Sequence, residues 1–133
     1  MKRVKEVSRL AGVSRRALQY YDDEGVLVAE RSEHNYRLYD QKALERIWRI
    51  IIYKEMGFDL KEIKRLLSAT EVGQKKYLSS KEKEIGEKIS ELNGQRKFIS
   101  VILTQGMPRM PEENMGITYA DRISELRKRE ECM

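Results

Sequence analysis

The apolar positions of the chain change period several times, and each change marks an element. Val4, Val7, Leu10 and Ala11 share one face at helical spacing, so residues 4–11 predict a short helix that Gly12 stops. Val13 makes a turn, and Ser14 is placed to cap a second helix. In that helix Ala17, Leu18 and Tyr21 point inward, while Arg15, Arg16, Gln19 and Tyr20 are left outward. Two short helices around a Gly-containing turn form a helix-turn-helix. After Gly25, Val26-Leu27-Val28 reads as a short apolar strand. Tyr36-Arg37-Leu38-Tyr39 alternates again, which predicts a β-hairpin with its tip near residues 32–35. Asp40 caps a third helix over residues 41–56, with apolar positions at Leu44, Ile47, Trp48, Ile51 and Ile52; Gly57 ends it. Asp59 then caps a fourth helix reaching about Leu67. Glu62 sits where a capping box needs it, and Phe58 and Ile63 have the spacing of a hydrophobic staple.

Residues 68–73 are polar and carry no strong pattern. From 75 to 105 a long helical segment places Leu78, Ile85, Leu92 and Ile99 seven residues apart, with Ile89 and Leu103 in the interleaved row. The seam is imperfect: Glu82 and Arg96 occupy its other row, and Gly86 and Gly94 each cost about 1 kcal/mol relative to alanine. A polar helix with one apolar stripe cannot bury that stripe alone. A second copy of the chain, parallel or antiparallel, is the economical partner, so these six residues predict a homodimer. Gly106-Met107-Pro108 breaks the helix. A last amphipathic piece starts near Thr118 with Tyr119, Ile123 and Leu126, and its charged end, 127–133, is expected to fray. The reading is mainly α, with a winged helix-turn-helix domain at 1–70, a dimerisation coiled-coil helix at 71–105 and a short effector-like or packing segment at 106–133.

Charge sharpens this picture. The net charge is +5, which favours a polyanionic partner. Residues 1–67 carry 15 Lys and Arg against 11 Asp and Glu, whereas the remainder is close to balanced at 12 against 11. Seven of the ten aromatic residues also fall in the first half, which places the compact core there. The one cysteine, Cys132, excludes a disulfide within the chain, and with a single histidine it excludes an intrachain His/Cys metal cage. No apolar run reaches membrane-spanning length and the N-terminus has no apolar signal core, so a cytoplasmic protein is expected. No nucleophile–base pair and no phosphate-cradling glycine loop is visible, which argues against an enzyme.

The order helix-turn-helix, hairpin wing, two helices and long coiled-coil helix resembles the MerR family of bacterial transcription regulators. Gly12-Val13-Ser14 stands at the helix-turn-helix turn. Ala17-Leu18-Gln19-Tyr20-Tyr21-Asp22 lies where the family usually reads Thr/Ala-Leu-Arg-Tyr-Tyr-Asp. Asn35-Tyr36-Arg37-Leu38-Tyr39 resembles the family's Gly-Tyr-Arg-x-Tyr wing, and Met56-Gly57-Phe58-Asp59-Leu60-Lys61-Glu62-Ile63 its second wing turn. Two positions depart from the pattern. Gln19 replaces arginine and can still pair bidentately with adenine. Asn35 replaces glycine and tolerates the left-handed backbone.

The resemblance implies double-stranded promoter DNA as partner, with contacts from Ser14, Arg15, Arg16, Gln19, Tyr20, Tyr36, Arg37, Lys54 and Gly57. For Arg15 and Arg16 the plainer reading is a solvated basic face, and for Arg37 it is a cross-strand ion pair. His34 reads as a solvated loop residue, and Tyr21 as packing. The resemblance further implies a homodimer on an inverted-repeat operator in an overlong promoter spacer, bent and untwisted so that RNA polymerase engages both promoter elements. An architectural or excisionase-like DNA-binding protein is the alternative. Metal-sensing members carry cysteines where this chain has residues 104–111 without one. Met107, Met110 and Met115 read as gap-filling rather than as Cu(I) ligands. Neither metal nor cofactor is expected. Residues 106–133 are too few for a large drug-binding domain and leave room for a small-molecule inducer pocket against the partner's coiled coil. Cys132 reads as incidental.

Overall fold

The computed structural model describes residues 1–131, with the side chains of 130 and 131 left aside; Cys132 therefore lies outside the described residues. The chain divides into two units, 1–77 and 78–133.

The first unit begins with a strand, β1 (Lys2–Arg3), that runs directly into helix α1 (Val4–Ala11). Gly12 takes the left-handed conformation at φ 70°, and its N–H donates to the Ser8 carbonyl. The Ser8 hydroxyl donates to the Val13 carbonyl at 2.6 Å, so one serine fixes the turn from both sides. Ser14 caps helix α2 (Arg15–Asp23) by accepting from the Ala17 N–H at 3.0 Å. Strands β2 (Glu30–Arg31) and β3 (Arg37–Tyr39) form the hairpin. β1 pairs antiparallel on the far side of β3, with Lys2 opposite Tyr39 and Arg3 opposite Leu38. Asp40 caps α3 (Gln41–Glu55), and Asp59 with Glu62 closes a reciprocal capping box on α4 (Leu60–Ser68). Phe58 and Ile63 are both buried, as a staple requires.

Three expectations are corrected here. Val26-Leu27-Val28 is not a strand. The N–H groups of Val26 and Leu27 both donate to the Tyr21 carbonyl, at 2.8 and 3.1 Å, and the Val26 carbonyl accepts from Arg46 Nε at 2.6 Å. Those backbone groups finish α2 and anchor the segment to α3, so the hairpin strand starts later, at Glu30. Pairing by Lys2 and Arg3 was not foreseen, because two charged residues carry no strand pattern. The inner face of α3 is also rotated from the expected one. Ile47, Ile50 and Tyr53 are buried, whereas Trp48 is 65% exposed; on α1, Leu10 is likewise 65% exposed. Neighbours on a helix differ by about 100°, so an apolar run such as Ile50-Ile51-Ile52 fits several faces and only the packing partner selects one.

All the buried apolar side chains among the described residues lie between Val7 and Leu66, in this first unit. Its last residues belong to helix α5 (Glu71–Gln105), which starts earlier than the sequence suggested. The helix passes through Gly73, and Gln74 Nε2 donates to the Leu66 and Ala69 carbonyls at 3.1 and 3.3 Å.

The second unit holds the rest of α5, a single turn of 3-10 helix (Glu113–Met115) and α6 (Tyr119–Glu131). Thr118 caps α6 through the Asp121 N–H at 3.0 Å. The segment expected to fray is helical through Glu131. No residue of α5 is buried: Ile85, Ile89, Leu92, Ile99 and Leu103 are 40–81% exposed and Leu78 is half-buried. Among the described residues no helix is long and apolar enough to cross a membrane.

Candidate nucleic-acid interface

Helix α2 is divided as its sequence predicts. Leu18 and Tyr21 are buried and Ala17 is half-buried, whereas Arg15, Arg16, Gln19 and Tyr20 are exposed. The adjacent tyrosines separate cleanly: Tyr21 is 2% exposed and Tyr20 52%. No acidic residue sits in the first turn, so Arg15 and Arg16 add to the positive end of the helix dipole instead of offsetting it. That end is built to meet an anion.

The hairpin supplies a second exposed group. Ser32 N–H donates to the Tyr36 carbonyl at 2.9 Å and Asn35 N–H to the Ser32 carbonyl at 2.9 Å, while the Ser32 hydroxyl accepts from the Tyr36 N–H at 3.1 Å. Asn35 alone among the described non-glycine residues has a positive φ, 65°, which fits the tolerance of asparagine for that region. Tyr36 is 53% exposed; the Arg3 guanidinium lies 4.8 Å above its ring, and His34 meets it edge-on.

Asp22, at the C-terminal end of α2, holds this hairpin against the helix. Arg37 Nε donates to Asp22 Oδ2 at 2.9 Å, and an Arg31 guanidinium nitrogen lies 3.5 Å from the same oxygen. Both Asp22 and Arg37 are largely buried, with side chains 12% and 18% exposed. Arg37 is thus in an ion pair, but with α2 and not across the strands.

A third group flanks α2 on the other side. Lys54, near the end of α3, is exposed. Its Nζ donates to the Tyr21 hydroxyl at 3.3 Å and lies 5.7 Å from that ring's centre. Gly57 follows with φ 90°, donating to the Lys54 carbonyl at 3.0 Å, and the turn leads into the staple of α4. Lys64 Nζ, from α4, donates to the Glu24 carbonyl at 3.2 Å, placing a cation at the negative end of α2.

Every sequence-predicted contact residue from Ser14 to Gly57 therefore lies on α2 or its cap, on the hairpin, or at the end of α3 and the turn after it, and polar bonds tie both flanking elements to α2. The Ser14 oxygen serves the helix as its cap. Sequence reasoning assigned no role to Asp22, Arg31 or Arg3. The first two were findable as opposite charges flanking the helix and hairpin; the Arg3–Tyr36 contact depends on a strand with no pattern to reveal it. Tyr39 completes the inner side of the hairpin: it is fully buried, its hydroxyl has no hydrogen-bond partner among the described residues, and burial pushes its pKa upward. Among the described residues no cluster of His, Cys, Asp or Glu could hold a metal ion.

Comparison with known proteins gives a consistent result. The family described as MerR HTH family regulatory protein matches residues 2–70. The chain is 33% identical to the HTH-type transcriptional activator mta of Bacillus subtilis over 92% of its own length and 54% of that protein's, so it spans about half the length of that relative. It is 34% identical to the HTH-type transcriptional regulator CueR of Bacillus subtilis, over 84% of this chain and 75% of that one. Among solved structures, the N-terminal part of the Bacillus subtilis multidrug transporter activator superposes with a TM-score of 0.73 at 33% identity, covering 77% of this chain and 98% of that one.

Proposed function

The chain belongs to the MerR HTH family of DNA-binding transcriptional regulators, and we propose that it acts as a homodimer on an inverted-repeat operator within a promoter. The observation that carries the dimer is the uncovered row on α5, from Leu78 to Leu103. A second copy buries that row at no cost in new surface chemistry, because the row is self-complementary. At about 1.5 Å per residue the row is roughly 38 Å long. An antiparallel pair would attach the two DNA-binding units at its opposite ends, a separation near one turn of DNA, about 34–36 Å. A parallel pair would attach them side by side.

In this reading Arg15, Arg16 and Gln19 enter the major groove from the start of α2. Tyr20, Tyr36, Arg37, Lys54 and the backbone at Ser14 and Gly57 contact the flanking phosphates. Two such units supply enough phosphate contacts to offset a bending cost of several kcal/mol, so that an overlong spacer is bent and untwisted for RNA polymerase. The three segments 1–70, 71–105 and 106–133 would serve DNA binding, dimerisation and response to a small inducer in the cytoplasm.

The deciding experiment combines light scattering with DNA titration. The native chain should be a dimer, and its affinity for the dyad from its own promoter should fall steeply with salt. Leu92→Glu should yield a folded monomer whose affinity for that DNA is reduced at least tenfold. A monomer that binds as tightly, or binding indifferent to salt, rejects the reading; dyad binding without effect on transcription from the overlong promoter points to the architectural alternative.

A further inference from the structure

We propose that the cleft between the C-terminal end of α5 and α6 binds a small lipophilic monoanion, of which a two-ring aromatic carboxylate is a representative. Only its role as an inducer site rests on the regulatory reading above; the binding itself does not.

The cleft is a cavity of about 250 Å³ walled by Phe98, Ile102, Met107, Met110, Tyr119 and Ile123. A second hollow of about 310 Å³ lies against the same Phe98 and Ile102, and Leu126 borders both. Among the described residues no Cα of α6 comes within 8 Å of one in α5, so the facing side chains enclose space instead of interdigitating. An apolar cavity of about 150 Å³ already admits benzene, so this one is large enough for two fused rings. Two of its walls are methionines, whose unbranched side chains adapt to an aromatic face.

Charge selects the sign of the ligand. Among the described residues the lining of the two hollows includes Arg109, Arg122 and Arg129 and no carboxylate. Arg122 has an exposed ion pair with Glu125 at 3.3 Å, weak enough to yield to a better partner. Arg109 has no ion pair or hydrogen bond among the described residues. A lipophilic cation in the cleft would meet the guanidinium groups of Arg109 and Arg122. A carboxylate at the rim would meet planar donors matched to it, with its rings on the apolar wall.

Ile102 and Phe98 project about 60° and 100° away from Ile99, so the cleft opens on the flank of the α5 row.

The test uses the full chain without DNA and three probes in calorimetric titration: 2-naphthoate, the neutral 2-naphthamide and the cationic 2-naphthylmethylammonium. Naphthoate should bind saturably, one per chain, at least tenfold tighter than the amide, and the ammonium should bind more weakly still. Arg109→Gln with Arg122→Gln should bring naphthoate to the amide's level and leave the amide unchanged. Ile123→Trp, which fills the cavity, should abolish binding of both with α-helical content retained. Equal affinity for the three probes, no saturable binding, or insensitivity to the arginine pair overturns the proposal. So does loss of binding in monomeric Leu92→Glu, which would place the site between two copies. A chain that fails to bind promoter DNA yet binds naphthoate rejects only the operator reading; the converse rejects only this one.

Discussion

Asp22 is the residue through which the hairpin and α2 are held as one surface, and removing it has a calculable cost. Asp22→Ala leaves the Arg37 guanidinium, 18% exposed, without its carboxylate at 2.9 Å. A hydrogen bond to a charged group of this kind contributes about 1.5–3 kcal/mol, mainly because the orphaned partner stays desolvated. The Arg31 pair, 3.5 Å long with Arg31 44% exposed, adds at most about 1 kcal/mol after solvent screening. The expected loss is about 2–3 kcal/mol, and Asp22→Asn, which keeps an acceptor oxygen, should lose less. Urea denaturation of Asp22→Ala, Arg37→Ala and the double variant gives the coupling directly, and it should exceed about 1.5 kcal/mol. Under conditions where Asp22→Ala is fully folded, its DNA affinity should still fall, because hairpin and helix must then be ordered on binding. Strict additivity of the two single variants, a coupling under about 0.5 kcal/mol, would refute the clamp.

Tyr39→Phe removes a buried hydroxyl with no partner, so at pH 8 stability should be unchanged or rise by up to about 1–2 kcal/mol; a loss would reveal a partner for that hydroxyl. The pKa of Tyr39 is raised in the fold, chiefly by burial. Its contribution is therefore complete below the ordinary phenol value of about 10 and is lost as pH rises above it, so the advantage of Tyr39→Phe in denaturant should widen in that alkaline range. Asn35 sits at φ 65° and bonds there only through its backbone. Asn35→Gly should thus be neutral or gain up to about 1 kcal/mol, and Asn35→Val should lose about 1 kcal/mol or more in the same assay.

The capped ends were readable because their causes are local: Ser14, Asp40, Asp59 and Glu62 each satisfy a backbone donor within three residues. The same holds for the inward set of α2 and for the α5 row, whose spacing alone shows that it needs a partner. The sequence by itself therefore determined the order of the helices, the basic exposed edge of α2 and the apolar row that α5 leaves uncovered.

Tertiary structure decided what depends on competition between distant groups. Val26 and Leu27 are β-prone, yet the Tyr21 carbonyl takes both of their N–H groups and no strand remains. Trp48 fits the apolar run of α3, yet Ile50 and Tyr53 occupy the interior. Arg37 looks like a solvent-facing wing residue, yet Asp22, fifteen positions earlier, holds it. In each case the local pattern permits more than one outcome of similar energy. The choice is made by a hydrogen-bond acceptor, a packing surface or a charge that only folding brings within reach.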